Sequence, residues 1–136
     1  MDLLLNIDVD DLDKAIAFYS AAFGLQVSRR FGAGGVEMRG AAAPFYLLVK
    51  APGTIPVPGL EQRRSYARHW TPLHLDFVVA DLEAALARAQ RAGAVLEGTC
   101  ETHAWGRIAH CADPFGHGFC LLQFLGRGYD EVSTPA

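Results

Sequence analysis

Residues 110–120 read HCADPFGHGFC, with two histidines and two cysteines set around a proline and two glycines. Imidazole nitrogens and thiolates are zinc ligands, so the first chemistry this span suggests is a metal centre. A zinc site needs its donors on a shared side, whereas extended segments joined by a turn send successive side chains to opposite faces. Placing the turn at Asp113 to His117 pairs Ala112 with Gly118 and sets His110 opposite Cys120 on one face. Cys111 then falls off that face and His117 falls into the turn. The span cannot close a four-ligand zinc site alone and is first of all a hairpin. What His110 and Cys120 can do depends on the elements that meet them.

The chain has 136 residues, 51% of them hydrophobic, enough to bury one domain's core without disulfide or metal staples. The formal charge of -3, with Lys and Arg scattered, leaves no basic stripe for nucleic acid or an anionic membrane. A small-molecule partner is the expectation. The opening MDLLLNIDVDD turns acidic within a few residues, which argues against a secretory signal. No apolar run approaches the ~18 residues a membrane span needs, so a cytoplasmic location is expected. Cys100, Cys111 and Cys120 are odd in number and lack C-x-x-C spacing, which reads as reduced, mostly buried thiols. Walker, G-x-S-x-G and dinucleotide fingerprints are missing from the sequence, so phosphoryl transfer, triad hydrolysis and hydride transfer have no support.

One phrase is written twice: LLNIDVDDLDKAIAFYSAAFG at 4–24 and HLDFVVADLEAALARAQRAGA at 74–94. A constant step of 70 takes Val9 to Val79, Asp11 to Asp81, Leu12 to Leu82 and Ala15 to Ala85. Each copy opens with period-two alternation, Leu3, Leu5, Ile7 and Val9, then Leu75, Phe77 and Val79, as in a strand with one buried face. Asp11 and Asp81 are placed to cap the helices that follow. Their apolar stripes are Leu12, Ala15, Ile16 and Tyr19, then Leu82, Ala85, Leu86 and Ala89. Gly24 and Gly93 are placed to end them. Further strands are expected near 25–31, 35–39 and 45–50, then 94–99, 106–112 and 118–125. Each half is thus strand, helix, three strands. The division is module one over about 1–50, a Pro- and Gly-rich linker over about 51–72 able to act as a flap, module two over about 73–125, and a loose tail at 126–136.

Two βαβββ modules in one short chain resemble the vicinal oxygen chelate superfamily, which holds glyoxalase I, extradiol dioxygenases, and fosfomycin and bleomycin resistance proteins. The phrases that carry the resemblance are VDDLDKAIAFYSAAFGL, HLDFVVADLEAAL and ADPFGHGFCLLQF, the last with a D-P-x-G turn, and it spans about residues 3–125. It implies an α+β fold in which two βαβββ modules form curled mixed sheets around a cup, with the helices packed outside. Dimerisation or close module pairing would complete the cup, and a homodimer is the expectation. Metal-dependent members would take ligands from the first strand of each module, typically His or Gln, and from a late strand of each, typically Glu. Leu4, His74 and Cys120 stand at three such positions here, and the fourth falls in FYLLV at 45–49.

Strand parity sends Leu4, Asn6 and Asp8 of module one toward the cup, and His74, Asp76 and Val78 of module two. From the hairpin come His110, Cys120 and Leu122, while Phe119 and Leu121 turn to the helices. Phe31, Tyr46 and Trp70 are aromatic residues around the expected cup, and Trp105 precedes a glycine at its mouth, as in the bleomycin-resistance-like branch. Two readings follow. In the first, no cofactor is held, and the cup binds a small planar or aromatic compound. Asn6, Asp8, His74, Asp76 and His110 are then polar anchors, and Tyr46, Trp105, Cys120 and Leu122 are wall residues. In the second, His74, His110 and Cys120 hold a divalent metal in a lyase, isomerase or dioxygenase.

Overall fold

The computed structural model describes residues 1–134. Module one comprises strand β1 (Leu5–Val9), helix α1 (Leu12–Phe23) and strands β2 (Gln26–Arg30), β3 (Gly35–Arg39) and β4 (Phe45–Val49). Module two comprises β5 (Leu75–Val78), α2 (Leu82–Ala92), β6 (Val95–Leu96), β7 (Glu101–His103), β8 (Gly106–Ala112) and β9 (Gly118–Phe124). The first sheet has the order β1-β4-β3-β2 and the second β5-β9-β8-β6, with β7 also on β8. Both are mixed, because β1 runs parallel to β4 and β5 parallel to β9 while the other pairs are antiparallel.

The repeated phrase folds the same way twice. Asp11 accepts a hydrogen bond from the Lys14 N–H and Asp81 one from the Ala84 N–H, each at 2.9 Å, satisfying free donors of the first turn. Gly24 and Gly93 end the helices at φ 71° and 113°, left-handed conformations that a side chain would strain. Ala15, Phe18, Tyr19 and Ala22 form the buried stripe of α1, and Leu82, Ala85 and Ala89 that of α2. Against them lie the inward residues of both sheets, among them Val9, Val36, Met38, Leu47, Phe119 and Leu121, in one core that spans the two modules. Burying each such Leu, Phe or Met stabilises by about 1.5–3 kcal/mol. Phe23 of module one stacks on Phe77 of module two, ring centroids 3.9 Å apart.

Two expectations need correction. The strand expected over 94–99 is interrupted: Val95 and Leu96 pair with Ala112 and Cys111, and Gly98, at φ +80°, then turns the chain. Pairing resumes when Glu101–His103 lies along Ile108–Gly106, so module two has one strand more than module one. The loose tail is also more ordered than expected. A 3-10 turn at Gly128–Glu131 sets the Tyr129 ring against Trp105 and Phe124, and the Arg127 side chain pairs with Glu131. Residues 135–136 of that tail lie outside the described residues. Among the described residues no helix is long and apolar enough to cross a membrane.

Candidate functional site

β9 lies between β5 and β8, so one residue of β9 meets a partner on each side. Cys120 pairs with Asp76 on β5 and with His110 on β8. The shared parity puts these three side chains on the concave face, opposite Phe119 and Leu121 in the core. His74, just before β5, completes the group. Its Nδ1 is 2.9 Å from Asp76 Oδ1, while Cys120 Sγ is 3.4 Å from His110 Nδ1 and 3.9 Å from His74 Nδ1. A carboxylate only accepts, so His74 Nδ1 carries a proton and donates it to Asp76. The Cys120 thiol has two acceptors within reach, His110 Nδ1 and the Asp76 carboxylate. Burial first, then the Asp76 carboxylate, push the Cys120 thiol up to about 12, so sulfur stays protonated at neutral pH.

His74, His110 and Cys120 line the floor of a pocket of about 270 Å³, and Asp76 is joined to that floor through His74. The pocket's wall is the linker, since Arg68, Trp70 and Thr71 line it together with Glu97. The linker is a strap, fixed at several points. Arg64 Nε donates to Asp8 Oδ2 at 2.6 Å, the Tyr66 hydroxyl donates to the Lys50 carbonyl at 2.7 Å, and Arg68 pairs with both oxygens of Glu97. A second cleft of about 360 Å³ shares Thr71, His74, Gly118 and Phe119 with the first and extends to Asn6, Asp8 and His117. It lies at the seam where β1 and β5 come side by side.

Module one repeats the geometry with other chemistry. Tyr46 on β4 pairs with Asn6 on β1 and with Glu37 on β3, so Asn6, Tyr46 and Glu37 occupy the places of Asp76, Cys120 and His110. Glu37 is only 1% exposed. It accepts from the Tyr46 hydroxyl at 2.6 Å, Ser28 at 2.7 Å and Arg39 at 2.8 Å, and pairs with Arg29 at 2.9 Å. Those bonds, Tyr46's first, hold its carboxyl at about 2, and in turn the charge of Glu37 raises the Tyr46 phenol. These donors face one another across the sheet surface. Sequence reasoning missed Glu37; its signal was a lone carboxylate in GVEMR, between two inward apolar residues and near Arg29 and Arg39.

The structure thus places the expected site residues in several groups. His74, Asp76, His110 and Cys120 come together, with Asn6 in the adjoining cleft. Asp8 reaches that cleft too, but its carboxylate is engaged by Arg64. Tyr46 sits with Glu37, its ring stacked on Phe31. Trp105 and Leu122 pack with Ile108 and Cys120 in a small second apolar cluster on the same strands, where His103 stacks on Trp105.

The two-module plan, the mixed sheets and the hairpin register are those of one family. Residues 5–122 match the family described as Glyoxalase-like domain. The chain belongs to that family. Uncharacterized proteins of Mycobacterium bovis and Mycobacterium tuberculosis are each 32% identical to it over 121 residues, 87% of this chain and 80% and 71% of theirs. The fold is also that of a glyoxalase/bleomycin resistance protein/dioxygenase from Nocardioides (TM-score 0.70, 17% identity, 100% of this chain and 89% of that one). It is similar as well to a lactoylglutathione lyase from Agrobacterium tumefaciens (TM-score 0.62, 17% identity, 90% and 92%). At such identities the likeness speaks to fold, and the glyoxalase/bleomycin resistance/dioxygenase superfamily hosts several chemistries on it.

The metal site of metal-dependent members is the obvious test. Four donors contributed by both modules do not fit here: Leu4 is an alkyl group, β4 offers the Tyr46 phenol, and the nearby carboxylates Glu37 and Asp8 are turned to arginines. Module two alone offers a one-sided set, since donor atoms of His74, Asp76 and Cys120 lie within 4.8 Å of one another. A cation held by His74 Nδ1 and Cys120 Sγ would displace the thiol proton and move the His74 ring proton to Nε2.

Proposed function

We propose that this Glyoxalase-like chain binds a small, planar or aromatic organic compound in the pocket between the concave face of module two and the strap. The observation that carries this reading is the make-up of the pocket floor. A protonated thiol and two imidazoles present donors and acceptors side by side, with the Trp70 ring at the edge and the Arg68–Glu97 pair on the wall. His74, held by Asp76, and His110 orient the ligand's polar edge, and the ring face lies toward Trp70. The volume, about 270 Å³ with the adjoining cleft beyond it, suits one or two fused rings. A thermal-shift screen of planar heterocycles tests this. Hits should raise Tm in the native protein and lose their effect in His110→Ala and His74→Ala. A full screen without a single such hit sinks the reading.

A second reading rests on the convergence of His74, Asp76 and Cys120. Together with His110 these residues would hold a divalent cation, which supplies Lewis-acid polarisation of a bound oxygen when present. Metal analysis of the native protein separates the two readings. Stoichiometric zinc, nickel or manganese that is lost in His74→Ala favours the second.

The chain's assembly belongs to the same proposal. Leu4 and Val78 are 53% and 62% exposed, and Trp70 and Leu73 are exposed as well. Such surface supports a homodimer that closes the cup, and light scattering tests it.

A further inference from the structure

One histidine pair lies outside the chemistry above. His117, in the hairpin turn, directs Nε2 at the backbone carbonyl of Asp8, 2.8 Å away, and Nδ1 at Nε2 of His69, 3.2 Å away. His69, in the strap, directs its own Nδ1 at the carbonyl of Ala67 at 3.0 Å. A backbone carbonyl only accepts, so the outer nitrogen of each ring carries a proton. Those two protons make two neutral rings and leave two lone pairs aimed at each other. The contact is attractive only when a third proton lies between them.

The geometry points to a shared-proton clasp: His69 and His117 together hold one proton more than two neutral imidazoles, and that proton fastens the strap over the cup. The clasp joins three elements, because His117 also reaches β1 through Asp8 and the His69 N–H donates to the Gly116 carbonyl. A metal ion in the same gap would find two nitrogens where zinc takes three or four donors, and the three-donor cluster found among the described residues is elsewhere. The surrounding charges are mixed. Asp8 is paired with Arg64, and Arg68, which donates to the Gly116 and His69 carbonyls, is paired with Glu97. The Tyr66 ring lies 6.3 Å from His117 and is itself under the influence of Asp8, Arg64 and Asp10. Asp113 accepts from the His117 backbone N–H and from the Tyr19 hydroxyl, both neutral donors, so its charge favours a positive clasp. Both rings also line the second cleft, so the clasp is tested on the protein without added ligand.

The closed strap holds one extra proton, whereas the two freed imidazoles hold none at alkaline pH and two at acid pH, so closure is strongest at intermediate pH and weakens on either side. On the alkaline side, while the clasp keeps its proton and the freed rings are neutral, opening grows about tenfold per pH unit, the slope of a single linked proton. Two measurements on the intact protein test this. Long-range imidazole nitrogen NMR across about pH 5.5–9, the range in which histidines change charge, should show the two rings titrating together, sharing one proton. Amide exchange of the strap, corrected for its intrinsic pH dependence, should be slowest at intermediate pH and accelerate toward the alkaline end of that range. His69→Gln or His117→Gln should abolish that pH dependence, and His103→Gln on exposed β7 should keep it. Independent titration of the two rings in the native protein, or strap exchange without pH dependence, overturns the clasp. So does a stoichiometric zinc-induced shift of both rings' nitrogens, which makes the pair a metal site.

Discussion

At the scale of single residues, the three cysteines show how position decides chemistry. Cys100 is exposed; Cys111 lies in the core, with its thiol pushed up to about 11 by burial first and then by Cys100 and Glu97; Cys120 is pushed up to about 12. The thiolate is the reactive form, so the two buried sulfurs are poor nucleophiles at neutral pH. A disulfide reagent should therefore modify one thiol quickly, and Cys100→Ser should remove that phase. Fast labelling of Cys120 would contradict the protonated pocket floor. Glu37 makes an opposite case. Its folded carboxyl sits at about 2, below the ordinary 4.5, so it stabilises the fold above pH 4.5 and that contribution fades as pH falls toward 2. Glu37→Gln should lower stability at neutral pH and flatten the acid limb of a stability-versus-pH curve. His110, Cys120, His74 and Asp76 were readable from parity because strands alternate strictly. The partners of Glu37 were not, because a strand's period says which face a carboxylate takes and not which arginines the neighbouring strand brings to it.

At the scale of elements, the same cap begins both helices, which makes it testable twice. Asp11→Ala and Asp81→Ala should each cost about 1 kcal/mol in denaturant unfolding, the usual worth of an N-cap bond. The strap depends on a glycine. A Cβ on Gly116 would lie 2.2 Å from the Ala67 carbonyl oxygen, and its φ of +80° already disfavours a side chain. Gly116→Ala should leave both helices intact by circular dichroism and speed tryptic cleavage at Arg64 and Arg68; unchanged cleavage would show that the turn does not seat the strap. The hairpin register was legible because the D-P-x-G turn fixes it. The strap's anchors were not legible: Arg64 meets Asp8 and Arg68 meets Glu97 only after the modules are assembled, and nothing local in a Pro- and Gly-rich stretch announces such partners.

At the scale of the whole molecule, the two repeats fold onto one core. Phe18 and Tyr19 of α1 share it with Leu82 and Phe119, and Arg88 of α2 donates to the Ala22 carbonyl of α1. Unfolding followed by circular dichroism and by tryptophan fluorescence should give coincident transitions. Phe23→Ala, which removes the ring stacked on Phe77, should destabilise both modules together by about 3 kcal/mol. The duplication was plain in the sequence because the step of 70 residues is constant through strand and helix. The difference between the copies came from the register, which gives the ion-paired Glu37 the place in module one that the pocket-lining His110 holds in module two.

The seam has a mechanical consequence. Among the described residues no backbone ladder links β1 to β5, so the two sheets meet through side chains alone. A small rocking of one half against the other therefore stretches no strand-to-strand bond and is resisted chiefly by ring packing beneath and by the strap above. The width of the seam cleft is thus set by those side-chain contacts and not by backbone pairing.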